Sequence, residues 1–246
     1  MFMKDIVRNT LIRLFRSALK DEGIRLGIWD AVNRPPTGRK AGDIQVQLYR
    51  NALEDTAEYV EHKMMEVHSH ADRNSLLKAS LSVASNPGLY LEFGVASGKS
   101  INTIAGLTDR TIHGFDSFEG LPEYWFDRAG KGAYTQQGKL PLVKDNVKLH
   151  AGLFEQTLPK FATAYTENIS FMHVDCDIYS STKTVFDVLG PKIKSGTVIQ
   201  FDEYFNYPGW RNHEYKAFQE FINNSHLSYD YLGYTRSNFA VAVIIK

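Results

Sequence analysis

Short apolar runs alternate with helix-like patterns along the chain from Gly88 onward. Five of these runs have the length of strands, and most of them are followed by residues whose apolar positions recur at helical spacing. They cover residues 89–93, 111–116, 147–151, 169–175 and 197–202. Strands that alternate with helices in this way predict a parallel, doubly wound sheet.

The pattern changes at the end of the sequence. Residues 229–234 and 239–245 form two more apolar runs, which only Thr235-Arg-Ser-Asn238 separates. A connection this short joins antiparallel strands. The sequence therefore predicts an α/β, Rossmann-like, doubly wound sheet of seven strands, mostly parallel, that closes with an antiparallel hairpin.

The pattern before residue 88 is helical and is broken at Asn33-Arg-Pro-Pro-Thr-Gly38. The apolar positions at near-helical spacing are Ile6, Leu11, Ile12, Phe15 and Leu19 within residues 2–20, and Leu48, Leu53, Tyr59, Met64 and Val67 within residues 44–83. We interpret residues 1–87 as a helical extension that serves packing, homo-oligomerisation or substrate cover, and residues 88–246 as the main domain. A role at a membrane surface is the less favoured alternative for these helices.

A turn with two glycines follows the first strand, in the order Glu92-Phe93-Gly94-Val-Ala-Ser-Gly98, and a helical pattern begins after it. Glycines let the backbone turn tightly, and the free N–H groups at the start of a helix face the crevice. Position 96 is alanine where a dinucleotide fingerprint has its middle glycine, so no pyrophosphate clamp is indicated. A cationic nucleoside ligand such as S-adenosylmethionine suits the preceding acid. The predicted cofactor contacts of this turn are Glu92, Phe93, Gly94, Val95, Ala96, Ser97, Gly98 and Ser100.

Acidic residues end four of the five predicted parallel strands, and the ends of parallel strands share one crevice. Asp116 lies about 20 residues after Gly94, the spacing of an acid that binds both ribose hydroxyls. A surface aspartate that caps the next turn is the alternative. The remaining predicted cofactor contacts are Asp116, Ser117, Phe118, Gly152, Leu153, Phe154 and Asp175, with the adenine expected near Gly152.

Asp175, Asp202 and Glu203 place several carboxylate oxygens at adjacent strand ends. Hard cations such as Mg²⁺ prefer oxygen ligands, so a divalent metal site is predicted here. Such a metal lowers the pKa of a substrate hydroxyl that it holds. The alternative is that Asp175 orients the cofactor's amino group while the acidic pair caps a turn.

The catalytic base has more than one candidate. Asp175 and His213 are the two leading ones, because His213 follows the acidic pair in a loop that could reach a substrate proton. Asp177 is a weaker candidate. His173 lies inside an apolar run and is interpreted as a core histidine rather than a catalytic one.

About 30 residues, Ser117 to Asn146, separate the second and third strands, which is long for a simple connection. The aromatic residues of this segment are Tyr124, Trp125, Phe126 and Tyr134. We interpret the segment as a lid over the substrate, with a small subdomain or a dimer contact as alternatives.

The composition limits the possible partners and locations. Lysine plus arginine equals aspartate plus glutamate at 28 each, so no overall charge attracts nucleic acid or an anionic membrane. Cys176 is the single cysteine, which excludes an internal disulfide and fits a reducing compartment. No apolar run has membrane-spanning length, and charges interrupt the first 20 residues. A cytoplasmic protein is predicted.

The chain is similar, over about residues 88–220, to the macrocin-type O-methyltransferases. The similarity rests on four segments in the same order: Leu91-Glu-Phe-Gly-Val-Ala-Ser-Gly98, His113-Gly-Phe-Asp116-Ser-Phe-Glu-Gly-Leu-Pro122, Gly152-Leu-Phe-Glu-Gln-Thr-Leu-Pro159 and Asp175-Cys-Asp177-Ile-Tyr179-Ser-Ser-Thr182. The resemblance implies a class I fold that binds S-adenosylmethionine by the first two segments. It also implies Mg²⁺ bound by Asp175 with the acidic pair at 202 and 203.

The resemblance further implies transfer of a methyl group to a hydroxyl of a small molecule, with a sugar on a natural product or glycan precursor preferred and a catechol-like phenol next. Two positions depart from the family pattern. Glu203 stands where relatives commonly have a second aspartate, and Phe205 stands where some have a histidine base, so the base is unassigned. An NAD-dependent oxidoreductase and a non-catalytic nucleotide-binding module are the alternative classes.

Overall fold

The computed structural model describes residues 43–126 and 129–246. Within them, eight strands form one sheet: β1 (Ser69–His70), β2 (Leu89–Phe93), β3 (Ile112–Asp116), β4 (Val147–Ala151), β5 (Ile169–Val174), β6 (Val198–Phe201), β7 (Tyr229–Thr235) and β8 (Val241–Ile245). Their order across the sheet is β1-β7-β8-β6-β5-β2-β3-β4.

Five neighbouring strands of the sheet, β6, β5, β2, β3 and β4, are parallel to one another. Strand β8 is antiparallel to both β6 and β7. This arrangement confirms the predicted fold, including the hairpin at the end. Strand β1 is an addition that the sequence analysis did not contain. It has only two residues and pairs in parallel with β7 at the sheet edge.

Six α-helices lie in the described residues: α1 (Ile44–Lys63), α2 (Arg73–Val83), α3 (Lys99–Ala105), α4 (Phe154–Ala164), α5 (Tyr179–Leu189) and α6 (Glu214–Ser225). The helical pattern over 44–83 corresponds to α1 and α2. Met64 and Val67 lie between these helices, and Met64 is nevertheless buried in the core. The helix predicted over 2–20 lies outside the described residues.

Side chains of successive strand residues point to opposite faces of the sheet, and each face is covered. Leu91 and Phe93 of β2 belong to the core that α4, α5 and α6 cover, whereas Tyr90 packs with the residues of α2 and α3. Strands buried on both faces read as continuous apolar runs, which is why the sequence pattern located them well.

Contacts between residues divide the chain into a compact unit at 48–246 and a second unit at 1–47, of which the structure describes residues 43–47. The domain boundary placed between residues 87 and 88 stays a prediction. Of the described helices, none is both long enough and apolar enough to cross a membrane.

His113 of β3 and His150 of β4 form a pair whose Nδ1 and Nε2 atoms are 3.0 Å apart. The ring of His113 also packs edge-on against Phe161 and Tyr165. Burial, together with the neighbouring His150, lowers the pKa of His113 from 6.5 to about 4. Between about pH 4 and pH 6.5, His113 is therefore mainly neutral in the folded protein and mainly protonated in the unfolded chain.

This pair predicts a pH effect on stability. Neutral His113 makes its full contribution to the unfolding free energy above about pH 6.5, and this contribution is lost as the pH falls toward about 4. We expect the unfolding free energy of the wild-type protein, relative to a His113→Phe variant, to decrease between about pH 7 and about pH 5. Urea denaturation of both proteins at the two pH values measures this difference. A difference that does not change with pH contradicts the prediction.

Candidate active site

A cavity of about 600 Å³ opens at the carboxyl ends of the parallel strands. The cavity lies beside β2, where the direction of the chain across the sheet reverses. Strands β3 and β4 lie on one side of β2, and β5 and β6 lie on the other side. Open α/β sheets bind ligands at such a switch point because the chain departs in two directions and leaves a crevice. The structure brings the following predicted site residues into the cavity lining: Gly94, Ala96, Asp116, Ser117, Gly152, Leu153, Phe154, Asp175, Asp202 and Glu203.

The carboxylate of Asp116 organises the glycine turn. Its Oδ2 accepts hydrogen bonds from the backbone N–H groups of Val95 and Ala96 at 2.8 and 2.7 Å, and its Oδ1 accepts one from Phe118 at 2.6 Å. A carboxylate offers about four acceptor positions, so about one remains for a ligand. Asp116 therefore fixes the wall of the cavity and is also exposed to it.

Seven of the residues predicted to contact the cofactor do not line the cavity: Glu92, Phe93, Val95, Ser97, Gly98, Ser100 and Phe118. Glu92 shows the reason most clearly. Its side chain is completely buried, and its Oε1 lies 3.0 Å from Nδ1 of His173. The structure therefore does not support a direct contact between the Glu92 carboxylate and the cofactor. His173 is buried, as the sequence interpretation expected.

Four acidic side chains form one pole of the cavity: Asp175, Asp177, Asp202 and Glu203. One oxygen from each of Asp175, Asp177 and Glu203 lies within 4.8 Å of the others. Burial, reinforced by the charge of Asp202, raises the pKa of Asp175 and Glu203 well above the usual values. The pKa of Asp177 rises to about 7 for the same two reasons. A cation in this position would relieve the repulsion.

The buried side chain of Glu214 supports the acidic pole from behind. Its Oε1 accepts the backbone N–H groups of Cys176 and Asp177, and its Oε2 accepts that of Glu203, all at 3.2 Å. Asp177 has a positive φ of 63°, a conformation that aspartate tolerates better than most residues. Glu214 thus holds two segments that come from β5 and β6. The sequence analysis did not identify it, because an acid in the first turn of a helix is common.

The donor set fits a hard divalent cation. The ligand atoms of the group Asp175, Asp177 and Glu203 are all carboxylate oxygens, whereas a second group, Glu92, His173 and Asp175, includes a histidine that Glu92 already binds. Glu203 is only 5% exposed, and its Oε2 has no hydrogen-bond partner among the described residues. A buried oxygen in this state is costly unless a cation, a water or a substrate donor reaches it. Asp175, Asp177 and Glu203 are the best-placed ligands, and Asp202 lies beside them.

Asp202 is held by groups on both sides. Its Oδ2 lies 2.6 Å from Nη1 of Arg73, and its Oδ1 lies 3.9 Å from Nε2 of His173. Arg73 is the first residue of α2, and it also lines the cavity. Sequence reasoning missed Arg73 because it lies outside every recognisable motif.

His213, one of the two leading base candidates, is not part of the cavity lining. It precedes α6, and its ring packs against those of Tyr207 and Trp125 with centroids 6.0 and 6.5 Å apart. Burial lowers its pKa. Of the two candidates, the structure therefore places only Asp175 in the cavity.

The segment between β3 and β4 supplies an aromatic wall. Trp125 and Phe126 line the cavity and pack against buried Tyr207 with centroid distances of 5.5 and 4.9 Å. Ser180 of α5 donates a hydrogen bond of 2.7 Å to Glu123 Oε1, which ties this segment to the opposite side of the cavity. These contacts place Trp125 and Phe126 on the cavity wall, and a role of the segment as a substrate cover stays a prediction.

Comparisons with known proteins give one matching family model and several relatives. A family model described as macrocin O-methyltransferase (TylF) matches residues 74–232. The demethyldecarbamoylnovobiocin O-methyltransferase of Streptomyces niveus is 26% identical over 53% of the chain, and the mycinamicin III 3″-O-methyltransferase of Micromonospora griseorubida is 28% identical over 53%. The chain spans 59% and 61% of the lengths of these two relatives.

Two solved structures share the fold. The calicheamicin methyltransferase CalS11 has a TM-score of 0.56 at 22% identity and covers 88% of each chain. The O-methyltransferase NovP has a TM-score of 0.54 at 21% identity, over 70% of this chain and 78% of its own.

Proposed function

The chain belongs to the macrocin O-methyltransferase family, and from this premise we propose that it is an S-adenosylmethionine-dependent O-methyltransferase. We propose a sugar hydroxyl of a small molecule as the acceptor and a divalent cation, Mg²⁺, as a participant. One observation carries the proposal. The glycine turn ordered by Asp116 and the acidic pole lie on the walls of the same cavity, so a cofactor and an acceptor can meet there.

The cofactor half of the cavity is formed by the ends of β2, β3 and β4. Asp116 has about one acceptor position left for a ribose hydroxyl, and the Gly152–Phe154 segment offers an apolar surface with backbone polar groups. S-adenosylmethionine supplies an electrophilic methyl group on a cationic sulfur. The acidic residues around the cavity favour a ligand of positive charge.

The acceptor half combines charged and aromatic side chains. The guanidinium of Arg73 and the carboxylates of the acidic pole lie on the same cavity wall as the rings of Trp125 and Phe126. Hydrogen-bonding groups beside an aromatic wall suit an acceptor that combines several hydroxyls with an apolar ring face. A relative from Streptomyces olivaceus, 28% identical over 48% of the chain, is named as the 4'-O-methyltransferase of a rhamnosyl-bearing tetracenomycin, and this name supports a sugar hydroxyl.

Transfer to a hydroxyl requires that its proton leave. Asp175 and Asp177 both line the cavity, and each offers a carboxylate oxygen that can accept the proton of the acceptor hydroxyl. Asp175, Asp177 and Glu203 would hold a cation, which would supply a Lewis acid that lowers the pKa of the acceptor hydroxyl. Trp125 and Phe126 exclude water from the reacting groups.

Calorimetric titration with S-adenosylhomocysteine tests the cofactor assignment. We expect micromolar binding that is equal in Mg²⁺ and in EDTA, because the ribose and adenine contacts lie outside the acidic pole. Methylation of a panel of glycosides and catechols is expected to stop in EDTA and to return with Mg²⁺.

Absence of binding in both conditions would overturn the methyltransferase proposal, and tight binding of NAD instead would favour an oxidoreductase. Binding without methylation of any acceptor would favour a non-catalytic module. Turnover that is unchanged in EDTA would remove the cation while leaving methyl transfer in place, and turnover on catechols alone would replace the sugar with a phenol.

A further inference from the structure

Arg73 reaches the acidic pole from outside the segments that form the rest of the site. Its Nη1 donates to Oδ2 of Asp202 at 2.6 Å and its Nη2 donates to Oε1 of Glu203 at 3.0 Å. One guanidinium therefore binds one oxygen of each of two successive carboxylates. Two like charges that are adjacent in the chain are thereby held apart and neutralised in part.

The position of Arg73 is fixed by its own helix. Asp72 caps the start of α2, where its side chain accepts the N–H of Ser75 at 2.7 Å and the Ser75 side chain bonds back to Asp72. Leu76 and Leu77 of the same helix are buried. The cap and the buried leucines fix the backbone at Arg73, and its two ion-pair contacts fix the guanidinium against the two carboxylates.

The second oxygen of each carboxylate is left unused by Arg73. Oδ1 of Asp202 faces His173, which Glu92 holds from the other side. Oε2 of Glu203 is buried and has no hydrogen-bond partner within residues 43–126 and 129–246, and Glu203 belongs to the group of three carboxylates whose oxygens lie within 4.8 Å. Arg73 therefore leaves one oxygen of each carboxylate outside its own contacts, and Glu203 contributes one oxygen to the group with Asp175 and Asp177.

We propose that Arg73 is a positioning residue that clamps Asp202 and Glu203 so that the acidic pole can bind a divalent cation. This inference rests on the cation in the proposed function. It assigns a role to a residue that lies outside the family motifs. Arginine is required for it because a guanidinium donates to two oxygens in a fixed planar arrangement, whereas a lysine ammonium is a single flexible point charge.

The opposite role would be competition, in which the guanidinium occupies the place of the cation. The two roles predict changes of opposite sign. Removal of a clamp disorders the ligands and weakens cation binding, and removal of a competing charge strengthens it. Direct measurement of cation affinity distinguishes them without any assay of methyl transfer.

The test uses Mn²⁺ as the probe, titrated into the full chain and followed by the electron paramagnetic resonance signal of the free ion. We expect Arg73→Met and Arg73→Lys each to weaken Mn²⁺ binding by about tenfold or more, since loss of a group that orients metal ligands costs about 10- to 100-fold in affinity. Affinity for S-adenosylhomocysteine is expected to stay within about twofold, which shows that the variants are folded and that the cofactor site is intact.

Arg211→Met is the matched control. Arg211 also forms a two-contact ion pair with a carboxylate, at 3.0 and 2.7 Å to Asp55. Its side chain is 46% exposed against 43% for Arg73, and it does not line the cavity. We expect this variant to bind Mn²⁺ as the wild-type protein does.

Unchanged or tighter Mn²⁺ binding by Arg73→Met overturns the clamp, and tighter binding identifies the guanidinium as a competitor. A wild-type protein that binds S-adenosylhomocysteine but not Mn²⁺ overturns the cation and this inference together, while methyl transfer stands. A wild-type protein that binds Mn²⁺ but not S-adenosylhomocysteine overturns the proposed function, while the loss in Arg73→Met still tests the clamp.

Discussion

Gly94→Ala is expected to destabilise the protein by about 4 kcal/mol or more and to remove the cofactor site. A Cβ atom at this position would lie 1.7 Å from the carbonyl oxygen of Asp175, and the φ of Gly94 is +90°. The close contact cannot be relieved by a side-chain movement, because the obstructing oxygen belongs to the backbone just after β5. The positive φ would in addition strain an alanine. Urea denaturation gives the loss of stability, and calorimetry with S-adenosylhomocysteine gives the loss of binding.

Gly130→Ala serves as the control for this substitution, because a Cβ there meets no atom within 4 Å. It is expected to leave both quantities nearly unchanged. A Gly94→Ala protein that is as stable as Gly130→Ala and binds S-adenosylhomocysteine normally would show that β2 and β5 do not approach as closely as the structure indicates.

Asp116→Ala is expected to weaken S-adenosylhomocysteine binding by about 100-fold. The carboxylate accepts three backbone N–H groups of the turn and its surroundings, and it has capacity left for the ribose. Loss of hydrogen bonds to a charged group costs about 1.5–3 kcal/mol each, so one or two such losses account for the expected factor. Calorimetric titration measures the change directly.

Asp109→Ala is a suitable control, since Asp109 is exposed in the connection that precedes β3. It is expected to bind the ligand as the wild-type protein does. Binding to Asp116→Ala within about threefold of the wild-type value would remove Asp116 from the ribose role and leave it as a residue that only shapes the turn.

The sequence predicted the strands well because most of them are buried on both faces and stand out as apolar runs. The strand ends also indicated the cavity, because acids at the carboxyl ends of parallel strands must lie near one another. Asp116, Asp175, Asp202 and Glu203 line it as expected. The same reasoning was less successful for Glu92, since a strand residue alternates between faces and the pattern did not show that this acid pairs with His173.

Arg73 and Glu214 could not be found from local patterns. Arg73 is 130 residues away in the chain from the Glu203 carboxylate that it binds, and no spacing rule connects α2 with the end of β6. Glu214 resembles an ordinary acid in the first turn of a helix, and its role depends on how α6 packs behind the loops after β5 and β6. For His213, the loop's position in the sequence did not reveal that the ring turns toward Tyr207.

The place of β8 in the sheet has a consequence for how the chain folds during its synthesis. β8 follows the other seven described strands in the chain, yet it lies between β6 and β7. Until residues 241–245 leave the ribosome, β6 has an unpaired edge that carries Val198, Ile199 and Phe201. An apolar edge of this kind is a site for wrong pairing with other chains. The synthesis of residues 241–245 therefore covers this edge, and a chaperone that binds apolar strands would act before that step.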